Sequence, residues 1–201
     1  MHFPYAISVR VTSVCNFPPQ SSALVSISKV ISELNRLVAD GLVAKYAIGG
    51  AVAAQAYIET SSTEDIDAFV IVAGDEAKSL APLGAIWSDL VANGAKQDGQ
   101  YLVIGDWPLQ LLIIDEPLYA EAIEGARPVD FDGQTALLMP PEHLAAIALN
   151  TGRSKDYQRV AEFISQGSTT VEQITELVGR FGLQDAWKKY LTRFPPDDAN
   201  S

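Results

Sequence analysis

Apolar side chains recur every three or four positions at Leu24, Ile27, Val30, Ile31, Leu34, Leu37 and Val38. This is the period of one buried helix face. Ser21 and Ser22 are both suitable N-caps, and Gly41 suits the left-handed residue that ends a helix, so the pattern predicts a helix from about 22 to 40. The period then changes. "VAKYAI" (43–48) reads as a strand, Gly49-Gly50 as a turn and "AVAAQAYIE" (51–59) as a short helix. After the loop "TSST", "DIDAFVIV" (65–72) has the near-continuous apolar content of a strand at a sheet centre.

Residues 75–94 read as a helix with a kink at Pro82. "GQYLVIG" and "PLQLLII" read as two strands with Asp106-Trp107 at the hairpin turn, and "EPLYAEAIEGA" as a helix. "RPVDF" and "TALLM" form a second hairpin across Asp132-Gly133. From Pro140 onward four helical segments follow: 140–152, 154–167, 170–182 and 183–194. The expected organisation is an N-terminal arm (1–20, with weak alternation in "ISVRVTSV"), an α/β (α+β) domain (21–139), a C-terminal helical region (140–195) and a tail (196–201). Helices packed on a mixed sheet and followed by a helical region satisfy the rule that apolar faces must be covered by a second layer.

Composition narrows the function classes. The 201-residue chain is 48% apolar and carries a net charge of −11, and its mean hydropathy is +0.10. Such a chain has the material for a packed core. Its acidity repels a polyanion unless cations cluster locally, which argues against a general nucleic-acid binder. No apolar run approaches the roughly 20 residues that span a bilayer, and "MHFPYAISVRVTSVCNFPPQSS" makes a poor signal peptide. The default expectation is a cytoplasmic protein without a membrane partner. Cys15 is the single cysteine, so it has no internal disulfide partner.

The chemistry concentrates in "YAIGGAVAAQAYIETSSTEDIDAFVIV" (46–72). Strand side chains alternate, so Asp65, Asp67, Phe69 and Ile71 share one face. Two neighbouring carboxylates repel each other unless solvated, protonated or bridged by a cation, and a hard divalent ion such as Mg²⁺ prefers such oxygens. Gly49-Gly50 lets backbone amides approach an anion. Phosphate on the glycine turn and metal on the aspartate pair together would hold a nucleoside triphosphate. The plainer alternatives, a tight turn and a solvated strand end, remain open for each piece taken alone. No dinucleotide fingerprint, P-loop or serine-hydrolase elbow is present.

The order strand, Gly-Gly, helix, loop, Asp-x-Asp strand resembles the nucleotidyltransferase fold superfamily, here as Ile48-Gly49-Gly50 and Asp65-Ile66-Asp67. Thr63 gives the T-x-D-x-D form of minimal nucleotidyltransferases and of AbiEii-like toxins of toxin–antitoxin systems. "PPEHLAAIAL" followed by "GRSKD" resembles the start of their helical half. The resemblance implies Mg²⁺ (or Mn²⁺) held by Asp65 and Asp67, phosphates facing Gly49 and Gly50, and Thr63, Arg153 and Lys155 near the nucleotide. It also implies nucleotidyl transfer to a hydroxyl acceptor: an RNA end, a protein or a small molecule.

The sequence departs from that pattern at the third carboxylate. "WPLQLLIID" should carry it, but Gln110, a neutral amide, stands within the strand. Asp115 lies at its end with opposite parity, and Asp106 lies in the expected turn. Asp115 is the candidate for a third catalytic acid, with Gln110 at the doubtful ligand position. Ser61 stands where an arginine often precedes the motif. The alternative is therefore a weak or inactive relative acting through nucleotide or partner-protein binding. Arg153, Lys155, Asp156 and Arg159 form the densest basic patch. They read either as triphosphate contacts or as a solvated helix start with internal pairs to Asp156 or Glu162. His143 reads as a packing residue, and Trp87, Trp107 and Trp187 as core or interface aromatics.

Overall fold

The computed structural model describes residues 21–60, 63–74, 81–113 and 115–195. The expected arm and tail lie outside them. Helix α1 (Ser21–Ala39) presents the expected stripe, with Ile27, Val30, Ile31, Leu34 and Leu37 at most 1% exposed. Val38, expected in that stripe, is 36% exposed. It follows Leu37 directly, about 100° around the helix, where the last turn leaves the sheet. The helix closes as a Schellman turn: the Leu42 amide donates to the Leu37 carbonyl while Gly41 takes φ 74.

Seven strands form one mixed sheet in the order β3-β4-β5-β2-β1-β7-β6. They are β1 (Val43–Ile48), β2 (Ile66–Val72), β3 (Lys96–Asp98), β4 (Tyr101–Ile104), β5 (Trp107–Leu112), β6 (Arg127–Phe131) and β7 (Gln134–Leu138). At the centre β1 runs antiparallel to β2. Strand β2 is parallel to β5, and β1 to β7. Parallel neighbours need crossovers, which is why helices are interleaved through this half of the chain. The β6–β7 hairpin turns at Asp132-Gly133, as expected, with both residues at positive φ. The β4–β5 hairpin differs from expectation. It turns at Gly105-Asp106, and Trp107 already pairs with Ile104. Gly105 takes φ 65, so the glycine, not the tryptophan, belongs in the bend. Strand β3 was not expected from the sequence. Its three exposed residues carry no apolar alternation, and it exists by pairing with β4.

The sheet separates two helical layers. Tyr46 of β1 donates to Asn35 of α1, while Lys45, the next residue in the pleat, reaches Glu124 of α4 (Pro117–Glu124). Helix α1 and α4 therefore cover opposite faces. Helix α3 (Gly84–Ala92) joins α1 through the Arg36–Asp89 ion pair. The helix expected from residue 75 is described only from Gly84. Helices α2 (Gly50–Gln55) and α5 (Pro141–Thr151) lie on the α4 side, and α6 (Ser154–Ser165), α7 (Val171–Arg180) and α8 (Gln184–Arg193) follow from α5. Helix α2 is shorter than the expected 51–59. No helix among the described residues is long and apolar enough to cross a membrane.

Candidate functional site

Strand parity sets what faces the α4–α5 side of the sheet. In β2, Ile66, Ala68, Val70 and Val72 are buried toward α1, which leaves Asp65, Asp67 and Phe69 on the other face. The parallel register sets Asp67 beside Gln110 and Phe69 beside Leu112. In the β4–β5 hairpin Leu102 pairs with Leu109, so one step further places Tyr101 next to Gln110. On the other flank the Gly49 amide donates to the Asp67 carbonyl at 2.9 Å. A single row thus crosses three strands and ends on the residue that follows β1: Tyr101, Gln110, Asp67, Gly49.

Glycine is required at the end of this row. Gly50 opens α2 at φ 57, and a Cβ there would stand 2.1 Å from Asp67 Oδ2. A Cβ on Gly49 would meet the Phe69 ring at 2.5 Å. The two glycines let the backbone lie directly against the carboxylate and ring of β2. Thr63 Oγ1 donates to Asp65 Oδ1 at 2.9 Å, fixing the first acid in its loop. Burial pushes the Asp67 carboxyl up from its usual range and the Asp65 charge adds to this, while Arg153, Arg159 and Lys155 act in the opposite sense.

These residues line one cleft of about 510 Å³. Its sheet wall carries Asp65, Asp67, Gln110 and Tyr101. Its helical wall carries Arg153, Lys155, Asp156 and Arg159, and Gly50 and Thr63 sit at the junction. Of the expected site residues, Gly50, Thr63, Asp65, Asp67, Gln110, Arg153 and Lys155 meet there, and Gly49 lies directly behind Asp67. Asp115 does not. It is exposed, beyond the end of β5 and outside the cleft lining. Opposite parity to Gln110 and a position past the last strand residue turn it away. Asp106 sits in the β4–β5 turn, also outside the lining.

The basic patch is divided by its partners. Asp156 at N3 of α6 is 2% exposed and receives Arg153 Nε at 2.6 Å and Nη2 at 3.2 Å, and also the Arg153 amide at 3.3 Å. The Asp156 hydrogen bond raises the Arg153 pKa. Lys155 and Arg159, one turn apart, form no ion pair among the described residues. Arg159 Nε is buried without a hydrogen-bond partner there. Both also line an adjoining chamber of about 230 Å³ with Thr60, Thr63 and Gln158. The internal pairs to Glu162 expected for a plain helix start are not made; Glu162 instead accepts from Gln158.

Sequence reasoning missed Gln100, Tyr101 and Tyr119 as lining residues. Tyr101 was legible only once β3 made "GQYLVIG" part of a three-strand meander. Tyr119 rides on α4 with its ring 5.5 Å from Phe69. His143, expected as a packing residue, is buried, and its Nε2 contacts Glu121 Oε1 at 3.0 Å, while Glu121 also pairs with Arg180.

No single cluster of three or more His, Cys, Asp and Glu able to hold a metal occurs among the described residues. The carboxylate donors facing the cleft are Asp65 and Asp67, with Asp156 committed to Arg153.

No family model and no curated protein matches the chain. Solved structures do match in shape. An antigenic nucleotidyltransferase-like protein from Paracoccidioides brasiliensis aligns over 85% of this chain and 89% of its own, with TM-score 0.51 and 14% identity. The antibiotic-resistance factor ANT(2'')-Ia aligns over 85% of this chain and 98% of its own, with TM-score 0.50 and 17% identity. The mixed sheet with its flanking helices is the fold of nucleotidyltransferase-like proteins.

Proposed function

We propose that the cleft binds a nucleoside triphosphate with a divalent metal ion and transfers its nucleotidyl group to a hydroxyl acceptor. The observation that carries this reading is the convergence of Asp65, Asp67 and Gly50 with Arg153, Lys155 and Arg159 on one cavity. Acids, cations and a close-approach glycine are the three components a metal-bound polyphosphate needs.

The donor set fits the ion. Two carboxylate side chains are the usual protein contribution to Mg²⁺, which completes its shell with water and phosphate oxygens. The bare Gly50 Cα, packed on Asp67 Oδ2, keeps that carboxylate at the surface of the cleft. When bound, Mg²⁺ or Mn²⁺ would polarise the α-phosphate and offset its developing charge. Lys155 and Arg159, without ion pairs among the described residues, are counter-charges for the β- and γ-phosphates. Arg153 is held in place by Asp156. The acceptor oxygen attacks the α-phosphorus, the α–β phosphoanhydride bond breaks, pyrophosphate leaves, and the hydroxyl proton passes to solvent.

The test is a thermal-shift titration with ATP, GTP, CTP and UTP, with and without Mg²⁺, alongside pyrophosphate release. A ligand that binds only the folded state raises the melting temperature, by about 2.7 kcal/mol of stabilisation at one hundred times Kd. No Mg²⁺-dependent shift with any of the four would overturn the reading. Gln110 favours a second reading, a nucleotide-binding member with weak or no turnover that acts through a partner protein, as in a toxin–antitoxin pair. A shift without pyrophosphate release would select it.

A further inference from the structure

We infer that the cleft, with its triphosphate bound, holds one divalent ion and not two, because Gln110 occupies the position that a second ion's own anionic ligand would need. The inference rests on the proposed nucleotide site.

Three acids line the cleft, and only two face it without an ion pair to a basic side chain. Asp156 is buried, and both of its carboxylate oxygens receive the Arg153 guanidinium. Asp65 and Asp67 remain. The nearest strand position to Asp67 is Gln110, its register partner on β5, and Gln110 lines the same cavity. Asp106 and Asp115, the other acids flanking β5, lie outside the lining. Asp65 and Asp67 supply the carboxylates one ion takes.

A second ion about 4 Å from the first brings strong repulsion. Two double charges at that distance repel by about 4 kcal/mol even at the dielectric constant of water, and by more inside a cleft. A carboxylate beside Asp67 would offset part of that. The Gln110 amide is neutral and offsets none, and Lys155 and Arg159 add positive charge on the facing wall. The triphosphate oxygens complete the shell of the first ion, and a second ion without a carboxylate of its own is held too weakly to bind at millimolar concentrations.

The experiment counts ions on the full chain. Free Mn²⁺ is read by electron paramagnetic resonance at saturating α,β-methylene triphosphate of each base, and bound nucleotide is measured in parallel by equilibrium dialysis. One Mn²⁺ per bound nucleotide in the wild type, rising to two in Gln110→Glu or Gln110→Asp, is the expected result. Two ions in the wild type would overturn the inference and leave the nucleotide site intact. Nucleotide uptake by none of the four analogues would overturn both. One ion in both variants, with melting curves showing them folded, would refute the role given to Gln110. The wild-type count needs no variant to fold.

Discussion

Gly50 and Asp67 form the tightest dependence between two residues at the site. Gly50→Ala places a Cβ in the left-handed region and onto Asp67 Oδ2. Each of these alone costs about 1–3 kcal/mol. The expected outcome is a loss of about 2–4 kcal/mol in urea unfolding together with loss of the metal-dependent nucleotide shift. Lys155→Ala and Arg159→Ala behave differently. Neither side chain has an internal ion partner among the described residues; stability should change by less than about 0.5 kcal/mol for exposed Lys155, and by more for half-buried Arg159, whose stem packs in the fold. Triphosphate affinity should fall about tenfold or more, since a hydrogen bond to a charged group contributes roughly 1.5–3 kcal/mol. Calorimetric titration of both variants checks this. The Asp pair and the glycine turn were legible in the sequence because their chemistry lies within one short segment. The place of Gln110 in the row was half legible: parity separated it from Asp115, but only the β2–β5 register set it beside Asp67.

Between elements, the helical region is fastened to the sheet domain by a few specific contacts. Glu121 of α4 receives His143 of α5 and Arg180 of α7. Burial pushes the Glu121 carboxyl up, but the His143 and Arg180 hydrogen bonds outweigh it and hold the carboxyl below its usual range. A depressed folded-state pKa contributes stability above the unfolded value, and that contribution is lost as pH falls through the folded one. Wild-type stability should therefore decline on the acid side, below about pH 4.5. Glu121→Gln should flatten that limb in melting curves recorded from pH 3 to 6, and it should lower stability at pH 7. At the far end, Trp187 stacks on Tyr190 at 5.1 Å, and Tyr190 on Phe194 at 5.3 Å. Trp187 is 8% exposed, so Trp187→Ala should cost about 3 kcal/mol or more through the cavity it leaves. Helices α5 to α8 were legible because each carries its own period and stop signals. Strand β3 was not, because its three residues are exposed and only the partner strand defines them.

For the whole molecule, charge bears on which acceptors the proposed transfer would use. The chain carries −11 overall, yet the acids lining the cavity are Asp65, Asp67 and the committed Asp156. With a metal on the pair, little negative charge remains for a polycation, and the wall beyond Gln110 is Tyr101 and Gln100. A polycationic amino sugar should neither raise the melting temperature of the nucleotide-bound protein nor become nucleotidylated. Mass spectrometry after incubation with ATP and Mg²⁺ would detect the adduct. The sheet also ends differently from how its centre is built. Strand β3 closes one side with only Lys96, Gln97 and Asp98, all exposed. Strand β6 closes the other with Arg127, Pro128 and Asp130 among its five residues. Short, charged or proline-bearing margins deny an incoming strand a template. Copies of this chain should therefore resist zippering into fibrils through either border, and a binding protein that grips it will do so by side-chain packing, not by extending the sheet.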